Sequence, residues 1–175
     1  MRYQTHLLTS FAGAVGLSHI IEMPIGIAFT AGLVLGTLLP DIDEPNSFIS
    51  RRTSITIQKR KNGKRKRVGL ATFIHMLFGH RGFTHSIAAT GIIALLLYIW
   101  MHPFVIGLVV GYGFHIVGDF FSKRGVPLLH PLSKKRFKIH LYTTGKWSES
   151  IVFAAILVGL LYMGDKSTLQ WFMWK

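Results

Sequence analysis

The chain has no cysteine, which removes disulfides, thiolate zinc knuckles, iron–sulfur clusters and cysteine nucleophiles from consideration. Any metal bound here is held by imidazole and carboxylate. Charge is also scarce: 15% of the 175 residues are Asp, Glu, Lys or Arg, against about a quarter in an ordinary soluble domain. Acidic residues are the rarest part, 7 against 20 Lys and Arg, for a net charge of +13. Half the chain is hydrophobic and mean hydropathy is +0.40, so a large apolar surface must be covered and intrinsic disorder is excluded. The length suits a single domain over 1–175. Residues 1–5 carry only Arg2, and the apolar stretch that follows runs into a second one with no A-x-A-like site between, so the N-terminus reads as retained.

Apolar stretches fall at 7–21, 25–39, 87–101, 103–121 and 151–163, punctuated by Pro24 and by His102-Pro103. None alternates with a period of two and each is long for a strand, so the expected class is all-α. Each is short for a bilayer span, which needs about 20 residues, although Thr5, Thr84 and Ser150 could lengthen them. The same five helices could form the dry core of a soluble bundle. The placement of charge favours the membrane. Segment 41–83 holds ten Lys or Arg, segment 122–149 holds seven, and Arg2 brings the total to 18 of 20. All 18 share one side if the chain starts inside and crosses five times with two tight external turns, as the positive-inside rule requires. The expectation is therefore a polytopic membrane bundle of about five short helices with its N-terminus cytoplasmic. Trp100 on the outer side and Trp147 on the inner side are candidate interface anchors.

Residues 51–68 form a basic insertion and 122–149 a basic cytoplasmic loop. The insertion has Ser-Ile-Thr-Ile alternation before Asn62-Gly63, a hairpin signal, and a basic run after it. The simplest role for such a segment is to set topology. It could also contact anionic lipid headgroups, at about 1 kcal/mol per basic residue near the surface, or nucleic acid phosphates. Lipid is favoured because the segment is tethered at the membrane and 51–67 offers no aromatic for base stacking.

The ionisable groups at the ends of the apolar stretches carry the chemistry. His6 opens the first, Asp41 and Asp43 follow Pro40 at the close of the second, His80-Arg81-Gly82-Phe83-Thr84-His85-Ser86 opens the third, and His115 and Asp119 close the fourth. The expected topology brings every one of them to the cytoplasmic face. His115 and Asp119, four residues apart, share a helix face and can reach one ion, although Asp119 could instead orient His115 or pair with Lys123. Asp41 and Asp43 could converge on a site or cap a turn. Thr84 or Ser86 could cap the third helix, with His85 in its first turn and Arg81 beside an anion. His19 and His102 read as structural, and His75, His130 and His140 as loop residues, His130 being the reserve ligand. Nitrogen and oxygen donors without sulfur suit zinc, then manganese or iron, and an open metal site activates water for hydrolysis.

These motifs resemble the YdjM-type family of LexA-regulated, inner-membrane-associated, metal-dependent hydrolases. The shared elements are His6, Leu39-Pro40-Asp41-Ile42-Asp43, the His80–Ser86 motif, the His115/Asp119 pair, and Gly125-Val126 followed by Leu128-Leu129 and Pro131. They lie within residues 1–132. The family is similar to zinc-dependent phospholipase C, an all-α fold with clustered zinc ions. The resemblance implies His6, Asp41, His80, His115 and Asp119 as metal ligands, His85 and Asp43 in direct or adjoining contact, a bacterial cytoplasmic membrane location, and phosphoester hydrolysis. His130 stands where an aromatic is expected.

The resulting expectation is a membrane-embedded hydrolase of a phosphoester or related ester at the cytoplasmic face. In it Asp43 steers or deprotonates the water, Arg81 neutralises the anion and His85 assists. A lipid substrate is favoured by location alone. The alternative is a membrane-tethered DNA-binding or regulatory protein with a structural or sensory metal.

Overall fold

The computed structural model describes residues 1–43, 55–58, 65–68 and 82–173. Among these described residues there are five α-helices: α1 (Tyr3–Ser18), α2 (Ile27–Leu38), α3 (Ile87–Ile99), α4 (Pro103–Phe120) and α5 (Trp147–Met173). Short 3-10 turns occupy Pro40–Asp43 and Phe83–His85. Each helix overlies one apolar stretch of the sequence. Pro40, with no N–H to donate, cannot continue the ladder of α2, and the chain tightens there. The Ser86 hydroxyl accepts from the Ala89 N–H at 3.1 Å and caps α3. His85 consequently lies in the turn before the helix, not in its first turn. His102 accepts from the Phe104 N–H at 3.2 Å ahead of Pro103, a favoured first helical residue, which is the structural role its position suggests.

The tightest contact joins α2 to α4 through two pairs of glycines four residues apart. A Cβ on Gly32 would lie 1.9 Å from the Phe104 carbonyl oxygen, and one on Gly36 2.0 Å from that of Leu108. The reciprocal distances are 2.0 Å from Gly107 to the Phe29 oxygen and 2.2 Å from Gly111 to the Leu33 oxygen. The backbones touch where no side chain fits, the small-xxx-small packing of membrane helices. Contacting residue numbers rise together along both helices, so α2 and α4 run parallel and their C-termini lie at one level. Helix α3 returns the chain between them.

Among the described residues, α4 is the one helix long and apolar enough to cross a membrane, with 18 residues at a mean hydropathy of 1.5. Helices α2, α3 and Trp147–Tyr162 are apolar but shorter. Length alone thus marks one spanning helix where the sequence predicts five short ones. The outer faces of α3 and α5 are apolar and exposed, at Ile87, Ile92, Leu95 and Tyr98 on α3 and Ile151, Val158 and Leu161 on α5.

A two-stranded antiparallel hairpin, β1 (Ile55–Gln58) and β2 (Arg65–Val68), lies within the basic insertion. A two-residue turn at Asn62-Gly63 would pair Gln58 with Arg67, whereas Gln58 pairs with Arg65. The alternating residues gave the strands, and the register is set elsewhere.

Segment 122–149 folds back under α4 and supplies partners to carbonyls that a helix end leaves without helical bonds. The Phe120 carbonyl accepts from the Ile139 N–H at 2.9 Å and that of Phe121 from the Leu141 N–H at 3.0 Å. The buried Tyr142 hydroxyl donates to the Gly118 carbonyl at 2.6 Å. Gly125 has φ +65, and a Cβ there would lie 2.6 Å from the Phe137 oxygen, so this reversal needs glycine on both counts.

Candidate metal centre

His6 in the opening turn of α1, Asp41 after α2, His85 before α3, and His115 and Asp119 on the last turns of α4 meet in one layer. The Nε2 atoms of His85 and His115 are 3.3 Å apart. His115 Nε2 lies 3.7 Å from Asp41 Oδ1 and 4.0 Å from Asp119 Oδ2. His85 Nε2 is 3.6 Å from each of the same two oxygens. His6 Nε2 is 3.4 Å from Asp119 Oδ1, and its ring stacks on that of His115 with centroids 3.7 Å apart. All but Asp41 are fully buried.

The imidazoles are oriented from outside the cluster. His115 Nδ1 is 2.7 Å from the Thr37 carbonyl oxygen. A carbonyl only accepts, so Nδ1 carries the proton and a neutral ring turns the Nε2 lone pair inward. His85 Nδ1 is 3.0 Å from the Thr84 hydroxyl, and its Nε2 likewise faces inward. Burial opposes ionisation of Asp41, but positive charge on the imidazoles of His115, His85 and His6, when they are protonated, holds its carboxyl well below the usual carboxylate range.

These residues fit a divalent cation. Two donors each about 2.0–2.1 Å from a tetrahedral ion stand roughly 3.3 Å apart, close to the shorter separations here. Two groups have their donor atoms mutually within 4.8 Å, namely His6, Asp41 and His115, and His85, His115 and Asp119. His115 belongs to both. Neither ring nitrogen of the buried His6 has a hydrogen-bond partner among the described residues, a costly state for a side chain with no other ligand.

Of the other candidates, Asp43 ends the 3-10 turn with its side chain outside what is described. His80 and Arg81 lie outside the described residues. His130 belongs to neither donor group.

Several participants are not legible as motifs. The Met1 ammonium reaches Asp119 Oδ1 at 2.8 Å, placing a positive charge on a buried carboxylate. Glu149 accepts from the N–H groups of Arg2 and Gly145, each at 2.6 Å, and ties the start of α1 to α5. Burial works against its ionisation, and these backbone donors overcome it, so its carboxyl sits below the ordinary glutamate value. Thr37 acts through its carbonyl, to which side-chain motifs are blind. Its one sequence signal is Pro40 just downstream, which places Thr37 in a last helical turn where carbonyls lack helical partners.

A parallel glycine-packed helix pair ending in a buried His/Asp cluster defines a helical bundle with membrane-type packing and a candidate metal centre. The chain belongs to the YdjM inner membrane protein family, whose pattern matches residues 1–174. It is 30% identical to Inner membrane protein YdjM of Escherichia coli (strain K12) over 98% of this chain and 89% of the relative. The figures are the same for Inner membrane protein YdjM of Shigella flexneri. It is 28% identical to Uncharacterized protein YvsG of Bacillus subtilis (strain 168), over 93% of each chain. No solved structure matches, and the expected likeness to zinc-dependent phospholipase C is not shown by these comparisons.

Proposed function

We propose that this chain is a multi-pass inner-membrane hydrolase that uses a divalent cation, zinc in first place and manganese or iron after it, to cleave a phosphoester or related ester at the cytoplasmic face. The observation that carries the reading is the set of inward-facing donors from four chain segments, 3.3 to 4.0 Å apart. Family membership supports the membrane setting. The sorting of basic residues, 18 of 20 to segments on one side, supports a cytoplasmic site.

In this reading His6, Asp41, His115 and Asp119 hold the ion, with His80 as a further ligand and His85 at ligating distance or assisting. Such an ion, when bound, supplies an activated water at neutral pH and electrophilic pull on the ester oxygen. The residues around it do the rest. Thr37 and the Thr84 hydroxyl fix the imidazole faces, Asp43 orients the water or takes its proton, and Arg81 neutralises the anionic ester. The water oxygen bonds to phosphorus, the ester P–O bond breaks, and the departing alkoxide takes up a proton. The basic insertion lies against anionic headgroups.

The test is the metal content of detergent-purified protein, with an anomalous-scattering map of crystals. Stoichiometric metal on His115 is expected, lost in His115→Ala and in Asp119→Ala. Full metal content in both variants would overturn the proposal.

A further inference from the structure

Beside the cluster, on the side of α3, lies an apolar cavity of about 180 Å³ that the hydrolytic reading leaves unused. Its walls include Leu39, Ile42, Phe83, Ile92, Ile93 and Tyr112. These are not arbitrary neighbours. Ile42 adjoins Asp41 in the same 3-10 turn, with Leu39 just ahead of that turn, and Phe83 shares its turn with His85. Tyr112 stands three residues before His115 on α4, and its hydroxyl donates to the Thr84 carbonyl. The wall is therefore continuous with the elements that carry four of the five clustered side chains. Its other flank is α3, whose apolar outer face is exposed from Ile87 to Ile99. An apolar recess flanked on one side by a lipid-type helix face, with walls on the other drawn from the turns that carry Asp41 and His85, fits a ligand with one apolar and one polar end.

We propose that this recess binds one acyl chain of a membrane phospholipid, so that the phosphoester of its headgroup is held at the His/Asp cluster. The substrate class is thereby a long-chain phosphoester amphiphile, not a soluble phosphate ester. The proposal deepens the hydrolytic reading and rests on it for the fate of the headgroup, but chain binding is measurable without turnover.

The probe is a phosphatidic acid analogue carrying a photoactivatable diazirine midway along one acyl chain, in phosphatidylglycerol vesicles holding the full-length protein. Crosslinks are mapped by mass spectrometry. In the unaltered protein, labelling is expected at Ile42, Ile92 and Ile93 and to exceed labelling at Leu95 at least about tenfold. That ratio corresponds to a recess that holds the chain about 1.4 kcal/mol more tightly than the surrounding lipid does. Ile92→Trp, at a wall position 57% exposed, projects a larger ring into the recess and should abolish the excess while leaving metal content unchanged. Leu95→Trp, at a position 56% exposed and outside the wall, should leave it intact. Equal labelling of Leu95 and the wall positions in the unaltered protein overturns the proposal, whatever the variants do. A protein that binds metal but shows no excess loses the acyl-chain site and keeps the metal reading. One that shows the excess but binds no metal does the reverse.

Discussion

His85 Nε2 and His115 Nε2 face each other across 3.3 Å, brought together from the turn before one helix and the last turns of another. The Thr37 carbonyl fixes the proton of His115 on Nδ1 at 2.7 Å. The facing nitrogen is then a lone pair when the ring is neutral, and a lone pair buried against two carboxylates calls for a proton or a metal ion.

His115 belongs to both donor groups, so His115→Ala should weaken metal binding more than His6→Ala or Asp41→Asn. The expected loss exceeds the roughly 10–100-fold that follows removal of a group merely hydrogen-bonded to a ligand. His19→Ala should change nothing. Metal titrations on the four purified variants check the order, and equal losses in all would contradict it.

Gly111→Ala places a methyl 2.2 Å from the Leu33 carbonyl oxygen, so α2 and α4 must separate. Overpacking of this kind costs about 1–3 kcal/mol, and displacing Thr37 from His115 should lower metal affinity with it. Gly113, on the same helix, has open space where a Cβ would stand, with nothing within 4 Å, and Gly113→Ala should be neutral or stabilising. Thermal unfolding in detergent, read beside metal content, separates the two.

Glu149 has a depressed folded pKa, so its contribution to stability is complete above its ordinary value near 4.5. That contribution is lost as pH falls through the lower folded value. Glu149→Gln should therefore destabilise at pH 7, and the gap to the unaltered protein should narrow on acidification. Melting curves between pH 3 and pH 7 test this, and a gap that widens toward acid would refute it.

Tyr142→Phe deletes the buried hydroxyl that donates to the Gly118 carbonyl. Stability should fall by about 1–2 kcal/mol, with metal content preserved because Tyr142 acts on the backbone of α4 and not on the cluster. Denaturant unfolding with parallel metal analysis is the check.

Replacing the basic residues of 59–67 by Gln should leave metal binding unchanged and reduce binding to anionic vesicles. If the chain is instead a tethered nucleic-acid binder, the same change abolishes a steeply salt-dependent affinity for DNA. Binding isotherms on both ligands across a salt series decide between them.

Much of this protein is local in origin and therefore legible in order of residues. Apolar runs without strand alternation define five helices, Pro40 and Ser86 set boundaries, and the four-residue spacing of His115 and Asp119 fixes their common face. Such features depend on backbone dihedrals and contacts within a turn or two. What only the tertiary structure decided is partnership across the chain. The Thr37 carbonyl orients His115, the Met1 ammonium and Glu149 tie down the start of α1, and segment 122–149 closes beneath α4 in place of a simple loop. Those relations follow from how closely two helix backbones approach. At Gly32, Gly36, Gly107 and Gly111 the absence of a side chain lets α2 and α4 touch, and that contact sets the level at which distant donors meet.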